Sequence, residues 1–381
     1  MKKVFLGLGL FLIILAGYFY WNGNIEILNP KGTNPSALWA SPLDRGASIK
    51  VFGFLPTWMI GKTIEYTNEV DYLIFLGVEV DEKGNLIWDG QSKKINNETY
   101  LKQKDLIWKN GGKNILGIKL FTDEKIDSLM ASIEAQNNLI NQLKTLRQTE
   151  KFDGINVDFE YQGNPTAVLS EKMIGFMAKL KESGLGEISL DVFVNTINKG
   201  SAEQINSLIN SVDNLIIMAY DFHRPGVDYA GAVAPMQSEV GDRNIMEVVE
   251  KILSLNFDKE KIVMVYPLYG YEWKTYTKDF EAPVIRGWYQ MASWNRVNEL
   301  IKSESLSGSS SNLMVNWDEL SMTPWVVFEE GGEIHQIYFE NERSLKAKLD
   351  LVKQNQLGGV GFWALGYEGE DKRVWEIMKS F

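Results

Sequence analysis

Three polar residues spaced two apart, Asn156, Asp158 and Glu160, alternate with Ile155, Val157 and Phe159 in the run Phe152-Asp153-Gly154-Ile155-Asn156-Val157-Asp158-Phe159-Glu160. Successive side chains of a strand point to opposite faces, so the two sets would occupy opposite faces. An amide and two carboxylates on one face are the parts of an acid–base centre. An ionised Asp158 beside Glu160 would raise the Glu160 pKa and keep it protonated as a proton donor. Such groups are costly to bury unless paired and hydrogen-bonded. The bland alternative is a solvated polar strand end, which leaves the strict apolar alternation unexplained.

A strand of this kind needs neighbours on both sides. Eight short apolar runs recur along the chain: Ile49–Phe54, Val70–Val78, Asn114–Phe121, Phe152–Glu160, Glu187–Val194, Val212–Tyr220, Lys261–Leu268 and Gly358–Leu365. Helical patterns lie between most of them. Glu124–Arg147 carries Ile126, Leu129, Met130 and Ile133 on one stripe behind the cap candidates Thr122 and Asp123, and Ala167–Ser183 ends at Gly184. Ser201–Asn210, Asn244–Leu255 and Asn341–Gln354 follow the same pattern. Strands apolar on both faces and separated by helices predict parallel pairing with crossover helices. Eight such units in about 330 residues predict an α/β fold, a (β/α)8 TIM barrel, with the polar face of the fourth strand turned inward at the end where barrel enzymes carry their chemistry. An open doubly wound sheet is the alternative, although no Gly-rich phosphate loop follows any strand. The interval 274–335 is too long for one helix. It holds Trp288, Trp317, Trp325 and the Ser/Gly stretch Ser303–Ser311, and reads as a small subdomain inserted between strands seven and eight.

Composition narrows the chemistry. Asp plus Glu number 50 against 39 Lys plus Arg, a net charge of −11, which disfavours phosphate backbones as partners. There is no cysteine, so disulfides, thiolate metal sites and cysteine nucleophiles are excluded, and two histidines are too few for a multi-His metal site. No cofactor or metal is expected. Carboxylates and aromatic rings remain in quantity, and sugar chemistry uses both.

The N-terminal end reads differently. Lys2 and Lys3 precede the uncharged run Val4 to Trp21, just long enough to span a bilayer and ending in a bulky aromatic cluster. Residues 1–28 are read as an uncleaved signal-anchor, a cleaved signal being the alternative, and residues 29–47, with three prolines, as a stalk. The rest of the chain would then lie outside the cytoplasm, tethered to the membrane through that helix.

Three motifs carry a resemblance. The run Asp153-Gly154…Asp158…Glu160 resembles the Asp-Gly-x-Asp-x-Asp-x-Glu signature of glycoside hydrolase family 18, the chitinase-like superfamily, departing from it at Asn156, where the family usually has Asp. Met218-Ala219-Tyr220-Asp221 at the sixth strand and Gly361-Phe362-Trp363 on the eighth are similar to two further family signatures. Residues 266–273 and 359–368 look like the bacterial spore-cortex and cell-wall N-acetylglucosaminidases of that family. The resemblance spans roughly residues 48–381.

It implies a retaining hydrolase of β-linked N-acetylglucosamine polymers, peptidoglycan first and chitin-like chains second, with a catalytically inactive sugar-binding lectin as the alternative. It implies Glu160 as general acid and base, Asp158 as the group holding the substrate's acetamido N–H, Tyr220 as donor to the acetamido oxygen and Trp363 as the apolar floor. Asp153, Asn156, Met218 and Asp221 would join them at the substrate. From position alone, Trp58, Tyr269 and Trp273 follow strands one and seven and are either groove-lining or packing residues. Tyr220 and Trp363 also suit plain barrel filling, and Asp221 suits a helix cap. Lys119 and Asp191, charges inside apolar strands, read as an interior ion pair or as neighbours of the polar row, with no catalytic role. A monomer is expected.

Overall fold

The computed structural model describes residues 49–62, 68–239, 244–306 and 313–381. The proposed anchor over residues 4–21 and the stalk over 29–47 lie outside the described residues, as does most of the Ser303–Ser311 stretch. Among the described residues no helix is long and apolar enough to cross a membrane.

Eight parallel strands close into a barrel: β1 (Lys50–Pro56), β2 (Tyr72–Val80), β4 (Lys113–Leu120), β5 (Gly154–Phe159), β6 (Glu187–Phe193), β7 (Asn214–Met218), β8 (Ile262–Pro267) and β14 (Gly359–Trp363). Closure is made by β1, which pairs with both β14 and β2. A two-residue strand, β3 (Leu86–Ile87), folds back antiparallel on β2. Each of the eight apolar runs falls on one barrel strand, displaced by two residues at most. The alternation sorts side chains into two layers. Ile155, Val157, Leu116, Ile118 and Leu190 face outward into the large core shared with the helices. Phe52, Phe54, Tyr72, Ile74, Ile115, Ile216, Val263 and Val265 fill the barrel interior.

The helices follow the expected stripes with two corrections, one of them that the helix expected over Ala167–Ser183 begins at Glu171 behind the Ser170 cap, with a separate 3-10 turn, Pro165–Leu169, before it. The single helix expected over Glu124–Arg147 is two, α2 (Asp123–Ala131) and α3 (Ile133–Glu150), broken at Ser132. Ser132 has extended backbone, and its hydroxyl accepts the Ala135 N–H at 3.1 Å, so the serine caps a new helix where the apolar stripe runs on without a break. Thr122 caps nothing through its side chain. Asp123 instead accepts the N–H groups of Gln162 and Gly163 at 2.7 and 3.0 Å, which tethers the loop that follows β5.

The insert is a five-stranded antiparallel sheet, ordered β10 (Val284–Ser293), β9 (Tyr269–Thr275), β13 (Glu333–Tyr338), β12 (Thr323–Glu330) and β11 (Met314–Asp318). It starts at Tyr269, immediately beyond the mouth end of β8, rather than at 274. One face packs Trp273, Trp325 and Tyr338 against Ala230 and Ala232. The other packs Val326, Phe328 and Ile337 against Val297 of α8 (Trp294–Leu306). On that second face the buried Glu272 pairs with both His335 and Arg296.

Candidate active site

β5 places its two faces as its alternation requires. Phe159 stacks on Phe176 of α4 (Glu171–Glu182) with centroids 6.4 Å apart, while Asn156 and Asp158 are buried inside the barrel. Gly154 opens the strand where a Cβ would lie 2.2 Å from the Glu187 carbonyl oxygen, so a side chain there would force β5 and β6 apart. Glu160 is the first residue past the strand. Its N–H donates to the Leu120 carbonyl at 3.0 Å, and its carboxylate accepts from Gln162 Nε2 at 2.6 Å.

Neighbouring strands complete the polar layer. The Asn156 amide donates to Ser189 Oγ at 3.1 Å and to Asp191 Oδ1 at 2.8 Å, both on β6. Lys119 sits beside Asp158 in the β4–β5 register, with its ammonium 3.2 Å from Glu79. Asp158 Oδ1 is buried without a hydrogen-bond partner in the structure. Past β7, Tyr220 approaches Tyr269 edge-on with centroids 6.2 Å apart. Asp221 has a left-handed backbone, φ 59°, a conformation that costs a non-glycine residue about 1–3 kcal/mol unless its surroundings impose it. Here Asp221 Oδ1 accepts the hydroxyls of Tyr269 and Tyr271 at 2.5 and 3.3 Å. Trp363 ends β14, flanked by Phe54 at 6.0 Å and Trp58 at 6.5 Å between centroids.

Burial dominates the electrostatics. Asp158 is held well above the usual carboxylate range, first by loss of solvent, then by the charges of Glu160 and Asp191, with Lys119 opposing. Asp191 is raised likewise, chiefly by burial. Glu160 is raised too, but the cause differs from the sequence reading. Its burial comes first, its hydrogen bonds with Gln162 and Asp158 act the other way, and Asp221 adds repulsion. Arg224 lowers both Glu160 and Asp221.

Two cavities meet at these residues. One, about 270 Å³, is lined by Trp363, Trp58, Phe121, Asp158, Tyr220 and Tyr269 among others. The other, about 570 Å³, is lined by Phe193, Asn195, Lys199, Phe222 and Arg224 among others. Glu160, Met218, Tyr220 and Asp221 belong to both, so Glu160 stands on the wall between two halves of one cleft. Among the described residues no group of three or more His, Asp or Glu side chains is arranged to hold a metal ion.

Of the residues singled out in the sequence, Glu160, Asp158, Tyr220, Met218, Asp221, Trp363, Trp58 and Tyr269 come together at this cleft. Three do not. Asp153 lies at the opposite end of β5, where its carboxylate accepts from the Trp108 indole at 2.6 Å and the Asn114 N–H at 2.8 Å. Asn156 lines neither cavity and instead supports the layer beneath Asp158. Trp273 is 1 % exposed within the core of the insert. It lies farther along β9 than Tyr269 and Tyr271, which keep the cleft side. The residues missed are Phe121, Tyr271 and Met291 around the smaller cavity, and Phe193, Lys199 and Arg224 around the larger; Lys119 and Asp191, read as an ion pair or as neighbours of the polar row, take the second of those places and line the smaller cavity. The charges inside strands three and five were the available signal for Lys119 and Asp191. Lys199 and Arg224 lie outside the strands and carried none.

Residues 50–368 match the model of the glycosyl hydrolases family 18. The chain is 23% identical over 347 residues to the uncharacterized glycosylase YvbX of Bacillus subtilis (strain 168), covering 87% of this chain and 92% of that one. Among solved structures, the Ostrinia furnacalis Group IV chitinase in complex with allosamidin superposes with a TM-score of 0.75 at 17% identity, over 87% of this chain and 98% of that one. The Bacillus megaterium QM B1551 spore cortex-lytic enzyme SleL superposes with a TM-score of 0.67 at 20% identity, over 87% and 73%.

Proposed function

The chain belongs to family 18 of the glycosyl hydrolases and is a glycosidase, and from that premise we propose that it cleaves β-linked N-acetylglucosamine chains with retention of configuration, using the substrate's own acetamide as nucleophile. One observation carries this reading: Glu160 stands between the two halves of the cleft, with Tyr220 beside it on the shared wall and Asp158 and Trp363 on one side. A sugar resting on Trp363 directs its anomeric carbon at that wall and its leaving group into the larger cavity.

In this reading Glu160 protonates the glycosidic oxygen as the bond to the anomeric carbon breaks, and the acetamido oxygen closes on that carbon from the other face. The attack is intramolecular and so entropically favoured. Asp158 takes the acetamido N–H; its unpartnered buried Oδ1 is an acceptor in want of such a donor. The Tyr220 hydroxyl orients the acetamido oxygen. Glu160, now ionised, draws a proton from water, which attacks the same carbon and restores both the sugar and the acid. Asp221, held by two tyrosine hydroxyls, borders the reacting sugar and stays out of covalent chemistry.

We infer that peptidoglycan is the first substrate, supported by the likeness to a spore cortex-lytic enzyme, and a chitin-like chain the second. The enzyme acts outside the cytoplasm as a monomer, tethered through residues 4–21. The N-acetyl group decides the mechanism. Oligomers de-N-acetylated at the cleaved sugar should resist hydrolysis, and a thiazoline mimic of the cyclised intermediate should inhibit. A covalent glycosyl ester trapped on Asp221 or any other carboxylate would overturn the reading.

A further inference from the structure

We propose that the sugar on the leaving-group side of the cleft carries a carboxylate, and that Lys199 and Arg224 bind it. The inference rests on the hydrolase reading above, which assigns the larger cavity to the leaving group. That cavity is lined by two cations, Lys199 at the end of α5 (Val194–Lys199) and Arg224 on the loop after β7. Its acidic lining residues are Glu160 and Asp221, both committed to the shared wall. Neither cation has an ion-pair partner among the described residues, whereas Lys119 on the Trp363 side is paired with Glu79.

In a chain with a net charge of −11, acceptors for two cations are plentiful, yet these two face the cleft unpaired. A neutral N-acetylglucosamine offers them no charge. A carboxylate would take charge-assisted hydrogen bonds from both, and the planar Arg224 fork suits it better than a hydroxyl. Phe193, Val194, Phe222 and Val227 supply apolar surface around them for the ring and its methyl groups. The bond cut then has N-acetylglucosamine on the Trp363 side and an acidic sugar beyond it, so N-acetylglucosamine becomes the new reducing end. Carboxylated sugars of this kind are the lactyl-ether amino sugars of bacterial walls, whose acid is either the free lactyl group or lies on the peptide attached to it.

The test measures kcat/KM on four substrates: tetra-N-acetylchitotetraose, the peptide-free tetrasaccharide of alternating N-acetylglucosamine and N-acetylmuramic acid, that tetrasaccharide with its lactyl carboxyls converted to amides, and its peptide-bearing form. The acid form should be cut roughly tenfold faster than its amide, the effect of about 1.4 kcal/mol of differential binding. The Lys199→Gln/Arg224→Gln double variant should bring the acid-to-amide ratio close to one. Any effect of Arg224 on Glu160 acts on every substrate alike and cancels in that ratio. Preference for the peptide-bearing form with loss of that preference in the double variant places the carboxylate on the peptide and keeps the proposal. Equal rates for acid, amide and peptide-bearing forms, or preferences unchanged in the double variant, would overturn it. Calorimetric binding of the same four ligands to Glu160→Gln reads the carboxylate preference without turnover. Absence of hydrolysis on all four with that preference intact would therefore count against the hydrolase reading alone.

Discussion

The Asn156 side chain donates to Asp191 Oδ1 at 2.8 Å, bridging β5 and β6 inside the barrel one step below Asp158. The family signature that this strand resembles carries Asp at the position of Asn156. In this chain the carboxylate beside the row comes from β6, and the neutral amide supplies the donor that makes Asp191 tolerable in the interior.

Asn156→Asp removes that donor and sets a third carboxyl among buried acids. Like charge raises the pKa of Asp158, so the low-pH limb of the pH–rate profile should move to higher pH. Stability should fall by about 1–3 kcal/mol, the penalty for stranding a buried polar group. Rates across pH and urea denaturation check both. An unchanged profile with unchanged stability would show the position to be passive.

Asp191 gives the sharper pH test. Burial holds its folded-state pKa above the unfolded value, so the folded state binds the proton more tightly. The stability linked to that proton is present at low pH and is lost as pH rises through the raised pKa. Asp191→Asn removes the ionisation while its amide oxygen can still accept from Asn156. Its Tm should exceed that of the parent at pH 8, with the gap narrowing toward pH 4. A gap independent of pH would contradict the assignment.

The two tryptophans read from the sequence as possible groove residues separate cleanly in the structure. Trp58 is 47 % exposed at the mouth and Trp273 is 1 % exposed in the insert. Trp273→Ala should cost about 3–5 kcal/mol, the usual loss for emptying an aromatic site in a core, with kcat per folded molecule retained. Trp58→Ala should leave Tm almost unchanged and raise KM. Denaturant melts alongside initial rates distinguish the two. A Trp273→Ala variant of parental stability with raised KM would reverse the assignment.

Much of this was legible in the chain. Eight apolar runs located eight barrel strands because strands buried on both faces leave an uninterrupted signal. The alternation at Ile155, Val157 and Phe159 fixed which way Asp158 pointed. What failed was local or distant. The break at Ser132 depends on one cap inside a continuous apolar stripe. Trp273 lies on the same strand and face as Tyr269 but farther along it, where β9 pairs with β13 and the ring enters the core of the insert. Asp153 belongs to the motif, but the motif runs the whole length of the strand, and its first residue ends up at the far end of the barrel, bonded to Trp108. The cations of the larger cavity come from loops and a short helix, where no periodicity marks them.

The central claim is that Glu160 donates the proton that breaks the glycosidic bond. Glu160→Gln keeps the shape and can still bond Gln162, but has no acidic proton. Steady-state rates on an N-acetylglucosamine oligomer, with binding followed by calorimetry, measure this directly. The predicted result is a fall in kcat of at least ~10²-fold with ligand affinity nearly unchanged. Turnover close to that of the parent would contradict the account.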